Sequence, residues 1–579
     1  MHAALIPLLL LQLAARPTVP DHAEVQLASD RQEYFLGENI LVHYRVINTG
    51  GDPFVAWFGG DYRGTGRSER FKVSAVDAQG NEVQDPLRII IRRGGFLTWH
   101  TVVPDDPYVE SIPLLRFLRF NEPGRYVITI RHDCGWKESA ERKFPEAKIE
   151  LVLKQPSAGQ ARHLVERWLK SDSDANRTNN KETQPHPDFS VIRNATYLGP
   201  LTEPATAGNK RAISGVASIA TPDATRLLIQ LAGSQEKVIR TQARRHLLNR
   251  LPASRDNKPP TGRWLVDDSW QKSLAADVAA LGVVYLNSEN SDDLEAGAKM
   301  IAAVGEPDHL IEVQRALDLE VGRSQSTVKE GNTYRDYPGR PGACHSLEHA
   351  ARRLFERGAK CPADPKSAGE AMLFAIKFGQ DSQFEPEGWE QTCRLLIRHE
   401  ILHVRRTMLE NLPQPIPAAL RPDLIEVFAS PHLGSVIEAL HIVSRDRLTE
   451  FRDPVRKQLR TARQSFHFSA ADGAAREVLN RYERLEILVD RIDEPGMMFE
   501  SLDALKPLFP NAGGGGRSSN IDLRKEARRI KPLWQQFLKR HQADLKLGAE
   551  YKLPHLDIGE DMFPPEYTIR LRDGSEWPE

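Results

Sequence analysis

The stretch AISGVASIATPDATRLLIQLAGSQEKVIRTQARRHLLNRLP, residues 212–252, reads as short helices punctuated by turns. Thr221 is placed to cap a helix whose first residue, Pro222, has no N–H to leave unpaired, and Ala224, Leu227, Leu228 and Leu231 fall on one face. Gly233 ends that helix. A second helix carries Ile239, Ala243, Leu247, Leu248 and Leu251 as its apolar stripe and stops at Pro252. Neither helix can bury its stripe alone, so the unit requires stacked neighbours.

Echoes of the unit occur downstream. Pro222-Asp223 recurs as Pro307-Asp308, and PDHLIEVQRAL from Pro307 to Leu317 matches PDLIEVFAS from Pro422 to Ser430 with one residue deleted. On these residues the chain from 206 to 492 resembles a HEAT or armadillo-type α-solenoid. That resemblance implies an architecture and an extended surface for a macromolecular partner, and by itself no chemistry.

The N-terminal part follows a different period. In ENILVHYRVINTGG, Ile40, Val42, Tyr44 and Val46 share one face before a turn at Asn48-Thr49-Gly50-Gly51. Phe71, Val73 and Ala75 alternate in the same way, as do Tyr126, Ile128 and Ile130, and Ile149, Leu151 and Leu153. Seven or eight such strands over residues 23–155 predict an antiparallel β-sandwich. The phrase LGENILVHYRVINTG resembles immunoglobulin-like modules of bacterial exported proteins, although Cys134 has no cysteine partner in this part.

Residues 156–205 read as linker, with a short helix from Gln160 to Leu169 and a polar, turn-rich run from Ser171 to Asp188. Residues 320–343 read as an insertion in the repeat. Long loops concentrate function, so Tyr334, Arg335, Tyr337 and Arg340 are the candidate partner-binding residues. Residues 493–579 read as a capping helix, with Ile530, Leu533, Trp534, Phe537 and Leu538 on its apolar side, followed by an extended tail. Its basic outer face suits a terminal cap.

The 579 residues include 78 Lys and Arg against 79 Asp and Glu, a net charge of -1 that gives no electrostatic footprint for nucleic acid. The apolar run from Ala3 to Ala15 is shorter than the roughly 20 residues of a membrane helix and suits a signal-peptide core, so residues 1–15 are expected to direct export. No later segment has the length and apolarity of an integral membrane span. Four cysteines make no disulfide framework. Cys361 with Cys393 is the more feasible pairing, with buried free thiols the default.

Two strings offer metalloenzyme chemistry. His399-Glu400-Ile401-Leu402-His403 matches H-E-x-x-H, in which two histidines one helical turn apart bind zinc and the glutamate activates water. His345-Ser346-Leu347-Glu348-His349 matches the inverted form. The first string is expected to straddle a turn between two helices of a repeat, among Arg398, Arg405 and Arg406, whose charge opposes a dication. A third ligand is not evident, Glu426 and Glu438 being the downstream carboxylates. The sequence has no P-loop, dinucleotide fingerprint or G-x-S-x-G. In the strand-rich part, Gly59–Gly64 and His132–Trp136 fall at strand ends, where they serve either as turns or as a polar binding rim. The expectation is an exported, non-enzymatic interaction protein without a cofactor, and the alternative is a zinc hydrolase using His399, Glu400 and His403.

Overall fold

The computed structural model describes residues 17–61, 67–86, 95–175, 188–251, 271–328, 342–494, 497, 500, 501, 504 and 523–548. A strand-rich N-terminal region precedes nineteen helices among these residues. The chain divides into two compact units: Met1–Val284 with Lys299–Gly305, and Tyr285–Ala298 with Glu306–Glu579. No described helix is long and apolar enough to cross a membrane.

The first unit contains three sheets. Strand β1 (Ala23–Ser29) pairs antiparallel with β3 (Leu41–Asn48), which pairs antiparallel with β7 (Tyr108–Pro113). A second sheet has the order β2 (Glu33–Phe35), β9 (Glu146–Lys154), β8 (Gly124–Arg131) and β5 (Lys72–Asp77). A ribbon joins β4 (Phe54–Gly59) to β6 (Leu97–Val102). The alternation read from the sequence is the burial pattern: Ile40, Val42, Tyr44 and Val46 lie inside with Ile128, Ile130 and Leu151, in one apolar cluster fed by all three sheets. One pairing departs from the antiparallel expectation. The three-residue edge strand β2 runs parallel to β9, and Leu36 N donates to Lys154 O just beyond it.

The segment expected to be linker is largely built into this unit. Helix α1 covers Ala158–Ala175 and buries Ala161, Leu164, Val165 and Trp168. That i, i+3, i+4, i+7 stripe is enough to seat a helix. Trp168 packs on Phe189 and Tyr197, and α2 (Leu198–Thr206) follows directly. Polar bonds tie these helices to the strands: Arg167 reaches Glu38 at 3.2 Å, Arg116 reaches Asp188 at 2.8 Å, and Gln155 Nε2 donates to Thr196 Oγ1. Gly37, at φ +80°, lies so close beneath Ile192 O that a Cβ would meet it at 2.5 Å. The polar run from 176 to 187 lies outside the described residues.

Residues 212–251 fold into the helices read from the sequence, while Pro252 lies outside the described residues. Helix α3 (Lys210–Ser218) is followed by α4 (Pro222–Ala232), whose N-cap Thr221 accepts from Ala224 N and whose C-cap is Gly233, and by α5 (Lys237–Arg250). The proline echoes also mark helix starts. Pro307 opens a 3-10 turn leading into α8, and Pro422 lies in the first turn of α13. Between them come α6 (Gln271–Leu286), α7 (Ser291–Val304), α8 (Leu310–Val328), α9 (Gly342–Glu356), α10 (Ala368–Gln380), α11 (Trp389–Ile397), α12 (Leu402–Glu410) and α13 (Arg421–Phe428). The expected insertion is therefore helical as far as Val328, because Val321 and the residues before it continue the buried stripe of Val313 and Leu317. The rest of the second unit comprises α14 (Leu433–Asp446), α15 (Arg452–Thr461), α16 (Ser465–Val478), α17 (Arg481–Asp490), α18 (Leu523–Arg540) and α19 (Gln542–Lys546). Alternate helices α8, α10, α12, α14 and α16 touch in that order. Helices α11, α13, α15 and α17 begin roughly 30 residues apart, a shorter period than the 40–47 residues of HEAT repeats.

The same side-chain bond recurs along the helices. Arg250, the last residue of α5, donates through Nη2 to Val216 O, Ala217 O and Ile219 O, at the end of α3. Arg445 in α14 donates to Leu412 O at 3.0 Å and Pro413 O at 2.8 Å, just past α12. Arg491, just past α17, donates to Leu459 O and Ala462 O at the end of α15. Each guanidinium brings donors to carbonyls at or just past a helix end, where internal donors run out. Arg491→Ala strands two buried acceptors and is expected to cost about 2 to 3 kcal/mol, read as a lower urea midpoint and faster amide exchange in α15 and α17. Arg491→Lys should not restore it, because an ammonium lacks the planar fork that bridges two carbonyls.

Candidate functional site

Strand β4 is apolar on both parities. Phe54, Ala56 and Phe58 point into the apolar cluster, while Val55 and Trp57 point outward with Gly59. Opposite them on β6 stand Thr101, Trp99 and Leu97, in the cross-strand pairs Val55–Thr101, Trp57–Trp99 and Gly59–Leu97. The two indoles lie 5.5 Å apart, tilted by 53°. Trp99 is 62% exposed and Phe96, whose carbonyl accepts from Gly60 N, is 71% exposed.

The other edge of β4 is occupied by the His132–Trp136 turn. Trp57 N donates to Cys134 O at 2.9 Å, and Trp136 Nε1 donates to Val55 O at 2.8 Å. Gly135 has φ +77°, and a Cβ there would come within 2.6 Å of the Trp57 side chain, so glycine is needed both for the turn and for the indole resting on it. The two stretches singled out at strand ends are brought together by Arg70. Its Nε donates to Asp133 Oδ1 at 2.8 Å, its Nη1 to Gly59 O at 3.3 Å, and its backbone N–H to Asp61 Oδ2. Burial opposes the Asp133 carboxylate, but Arg70 and the Gly135 N–H outweigh it and hold its pKa below the ordinary value.

His132 and Cys134 have the residue types of a nucleophilic pair without its electrostatics. Both are fully buried. Burial pushes the Cys134 thiol up to about 12 and the His132 imidazole down to about 3, so neither carries charge at neutral pH. His132 Nδ1 accepts the Cys134 N–H at 2.9 Å, which puts the ring proton on Nε2, where it has no hydrogen-bond partner among the described residues. Phe58 stacks on the ring at 4.8 Å, and Phe71 lies at 4.4 Å. The pair is part of the core.

A cavity of about 360 Å³ lies beside β5, lined by Arg67, Glu69, Lys72, Asp85, Arg131 and Glu146 among others. Cations and carboxylates balance there. The Arg67 guanidinium donates to Glu69, to both Asp85 oxygens and to Arg116 O, and it lies 4.8 Å from the Phe117 ring. Its donors hold the fold together.

In the second unit, α11 ends at Ile397 and α12 begins at Leu402, so His399 and Glu400 lie in a turn while His403 lies in the first turn of a different helix. His399 Nδ1 accepts from Ile401 N at 3.0 Å, and Arg405 donates to His399 O. The single helical face that sets zinc ligands one turn apart is broken here. Glu426 is held by Arg398 at 3.0 Å, and Glu438 by Arg406 and His441. In α9, His345 is exposed, and buried Glu348 accepts from Thr407 Oγ1 at 3.4 Å, which links the helices carrying the two strings. Among the described residues, no group of three or more His, Cys, Asp or Glu is arranged to hold a metal ion. All four cysteines are free, so Cys361 and Cys393 are not bridged. Tyr334, Arg335, Tyr337 and Arg340 lie outside the described residues.

The outward aromatics went unread in the sequence, although a signal was present. FVAWFG and LTWHTV place large side chains at positions where a strand covered on one side is usually polar. No protein-family model matches the chain, and comparison with curated proteins returns no match.

The broken helix predicts that dialysed protein retains no zinc dependent on these residues. Elemental analysis checks this, and one ion per chain that disappears in His399→Ala or His403→Ala would contradict it. A second expectation concerns pH. Because the folded pKa of His132 is depressed, unfolded chains bind its proton first as pH falls below the ordinary value of 6.5. Stability is therefore lost from pH 6.5 downward, toward 3, by up to about 1.4 kcal/mol per pH unit for this one group. His132→Phe should be less stable at pH 7, since the Cys134 N–H loses its acceptor. Its urea midpoint should nevertheless fall less steeply between pH 6.5 and 4 than that of the wild type.

Proposed function

We propose that the chain is an exported, non-enzymatic interaction protein in which an immunoglobulin-like β-sandwich is joined to a HEAT-like helical repeat, and that the repeat surface recognises a protein or other macromolecule. The observation that carries this reading is the arginine bond from the end of one helix to the carbonyls ending another, 29 to 34 residues earlier. A bond that recurs at the helix spacing supports a stacked repeat, in which each unit contacts its neighbours and an extended face is left for a partner. Leu395 on α11 and Ile425 on α13 are each about 60% exposed, on helices that touch, which adds apolar contact area of the kind that interfaces use.

Export rests on the apolar run from Ala3 to Ala15, which lies outside the described residues. Partner contact is assigned to Tyr334, Arg335, Tyr337 and Arg340, whose residue types are those of interface hot spots. Affinity capture with the full chain identifies the partner, and purified components then give the affinity. Replacing Tyr334, Arg335 and Tyr337 together with Ala is expected to leave thermal unfolding unchanged and to weaken binding by about thirtyfold or more. Unchanged affinity in that variant would remove these residues from the interface.

A further inference from the structure

We infer that the outward face of the β4–β6 ribbon is a binding platform for a neutral saccharide, with a sugar ring stacked on Trp99 and Trp57. This site is separate from the helical surface assigned to a macromolecular partner. Its first argument is that the Trp99 indole lies mostly in water rather than in the core. The inner face of the ribbon is already filled by Phe54, Ala56, Phe58 and Val102, all buried, while Trp99 and Phe96 keep 62% and 71% of their surface in water. Tryptophan is rarely left so open, because burying an indole is among the larger apolar gains a side chain offers.

The second argument is charge. The face consists of Val55, Trp57, Gly59, Leu97, Trp99 and Thr101, and none of them is ionisable. Among the described residues at its end, the Arg70 guanidinium is bonded to Asp133, and Asp61 accepts from Arg70 N and Ser68 Oγ. Among the described residues, a phosphorylated, sulfated or carboxylated ligand would find no uncommitted cation on this face. A neutral sugar needs none. Its ring presents a patch of C–H bonds that stacks on an indole, while its hydroxyls stay at the rim, where the exposed Thr101 hydroxyl offers a donor and an acceptor.

The third argument is area. Three cross-strand pairs extend about 14 Å along a ribbon only two strands, roughly 5 Å apart, in width. A stable protein interface needs about 800 Å² from each partner, several times what this strip supplies, so a second copy of the chain or a folded protein would find too little surface. A short run of sugar rings fits it. The platform is also pre-formed. Trp57 lies on Gly135, and the strand beneath it is hydrogen-bonded on both edges, to β6 and to Cys134, so binding orders little.

The test titrates the full chain by calorimetry with neutral hexasaccharides of the β-1,4-glucose, α-1,4-glucose and β-1,4-N-acetylglucosamine series. Dioleoylphosphatidylcholine vesicles and a proline decapeptide serve as the competing chemistries. At least one hexasaccharide is expected to bind, with affinity reduced at least tenfold in Trp99→Ala and partly retained in Trp99→Phe. Thermal unfolding of both variants should match the wild type, because the side chain lies mostly in water. The proposal is overturned if no hexasaccharide binds at millimolar concentration, or if binding is unchanged in Trp99→Ala. It is equally overturned if only the vesicles or the proline peptide bind in a Trp99-dependent way, which would make the platform a lipid or peptide surface.

Discussion

The helical part of this chain depends on arginines, two of them buried, that bond to carbonyls at the ends of other helices. A helix leaves its last carbonyls without internal donors, and a short helix of nine or ten residues has a large share of its backbone in that condition. Arg250, Arg445 and Arg491 each bond to two or more carbonyls at or just past such a helix end. Arginine suits the task because its donors form a rigid planar fork and its charge is delocalised, so desolvation is less costly than for an ammonium. Burial lowers the Arg250 pKa only to about 10, so the cation persists at neutral pH.

Buried carboxylates work in the opposite sense. Asp423 in α13 is met by Arg394 of α11 and by Arg398 just past it, and Asp472 in α16 by Arg476 and by Arg484 from α17. Exposed pairs of this type contribute little, but an acid nearly removed from water needs its partner, and loss of that partner leaves an uncompensated charge. The helices are thus held in register by polar bonds with directional requirements as well as by the Leu, Ile and Val stripes. Apolar stripes alone tolerate sliding. A guanidinium aimed at two particular carbonyls does not.

How much of this was readable in advance follows from the range of each interaction. The strands were readable from their period because burial on one side imposes it locally, as at Ile40, Val42, Tyr44 and Val46. The helix start at Pro222 was readable from the Thr221 cap, which spans four residues, whereas Pro422, in a helix without a side-chain cap, was readable only as an echo of Pro307. The arginine caps were not, since the bond joins residues about 30 apart and NR, SR and DR before a turn look like any charged helix end. The helix from Gln160 to Leu169 was readable, but its seat in the first unit was not, for a related reason. Trp168 packs on Phe189 and Tyr197, which come only after the polar run that begins at Ser171. The H-E-x-x-H string could be placed across a turn because α11 and α12 have their own stripes. The outward aromatics of β4 and β6 were not legible as a surface feature because large apolar residues in a strand usually face the core.

That rule points to what distinguishes the two kinds of exception in this molecule. Among the helices, polar groups lie inside and are bonded: Arg491 to carbonyls, Asp472 to two guanidiniums, Asn411 to Arg352 and to Thr407 O. Each such departure from an apolar core has a structural explanation in the bond it makes. On the β4–β6 ribbon the departure is reversed, with aromatics outside: Trp99 meets Trp57 and keeps 62% of its surface in water. A local rule broken with compensation marks how a fold is held; a rule broken without compensation in the folded chain marks a place where the compensation comes from a ligand. By that criterion the interior polar network belongs to stability, and the exposed indole belongs to recognition.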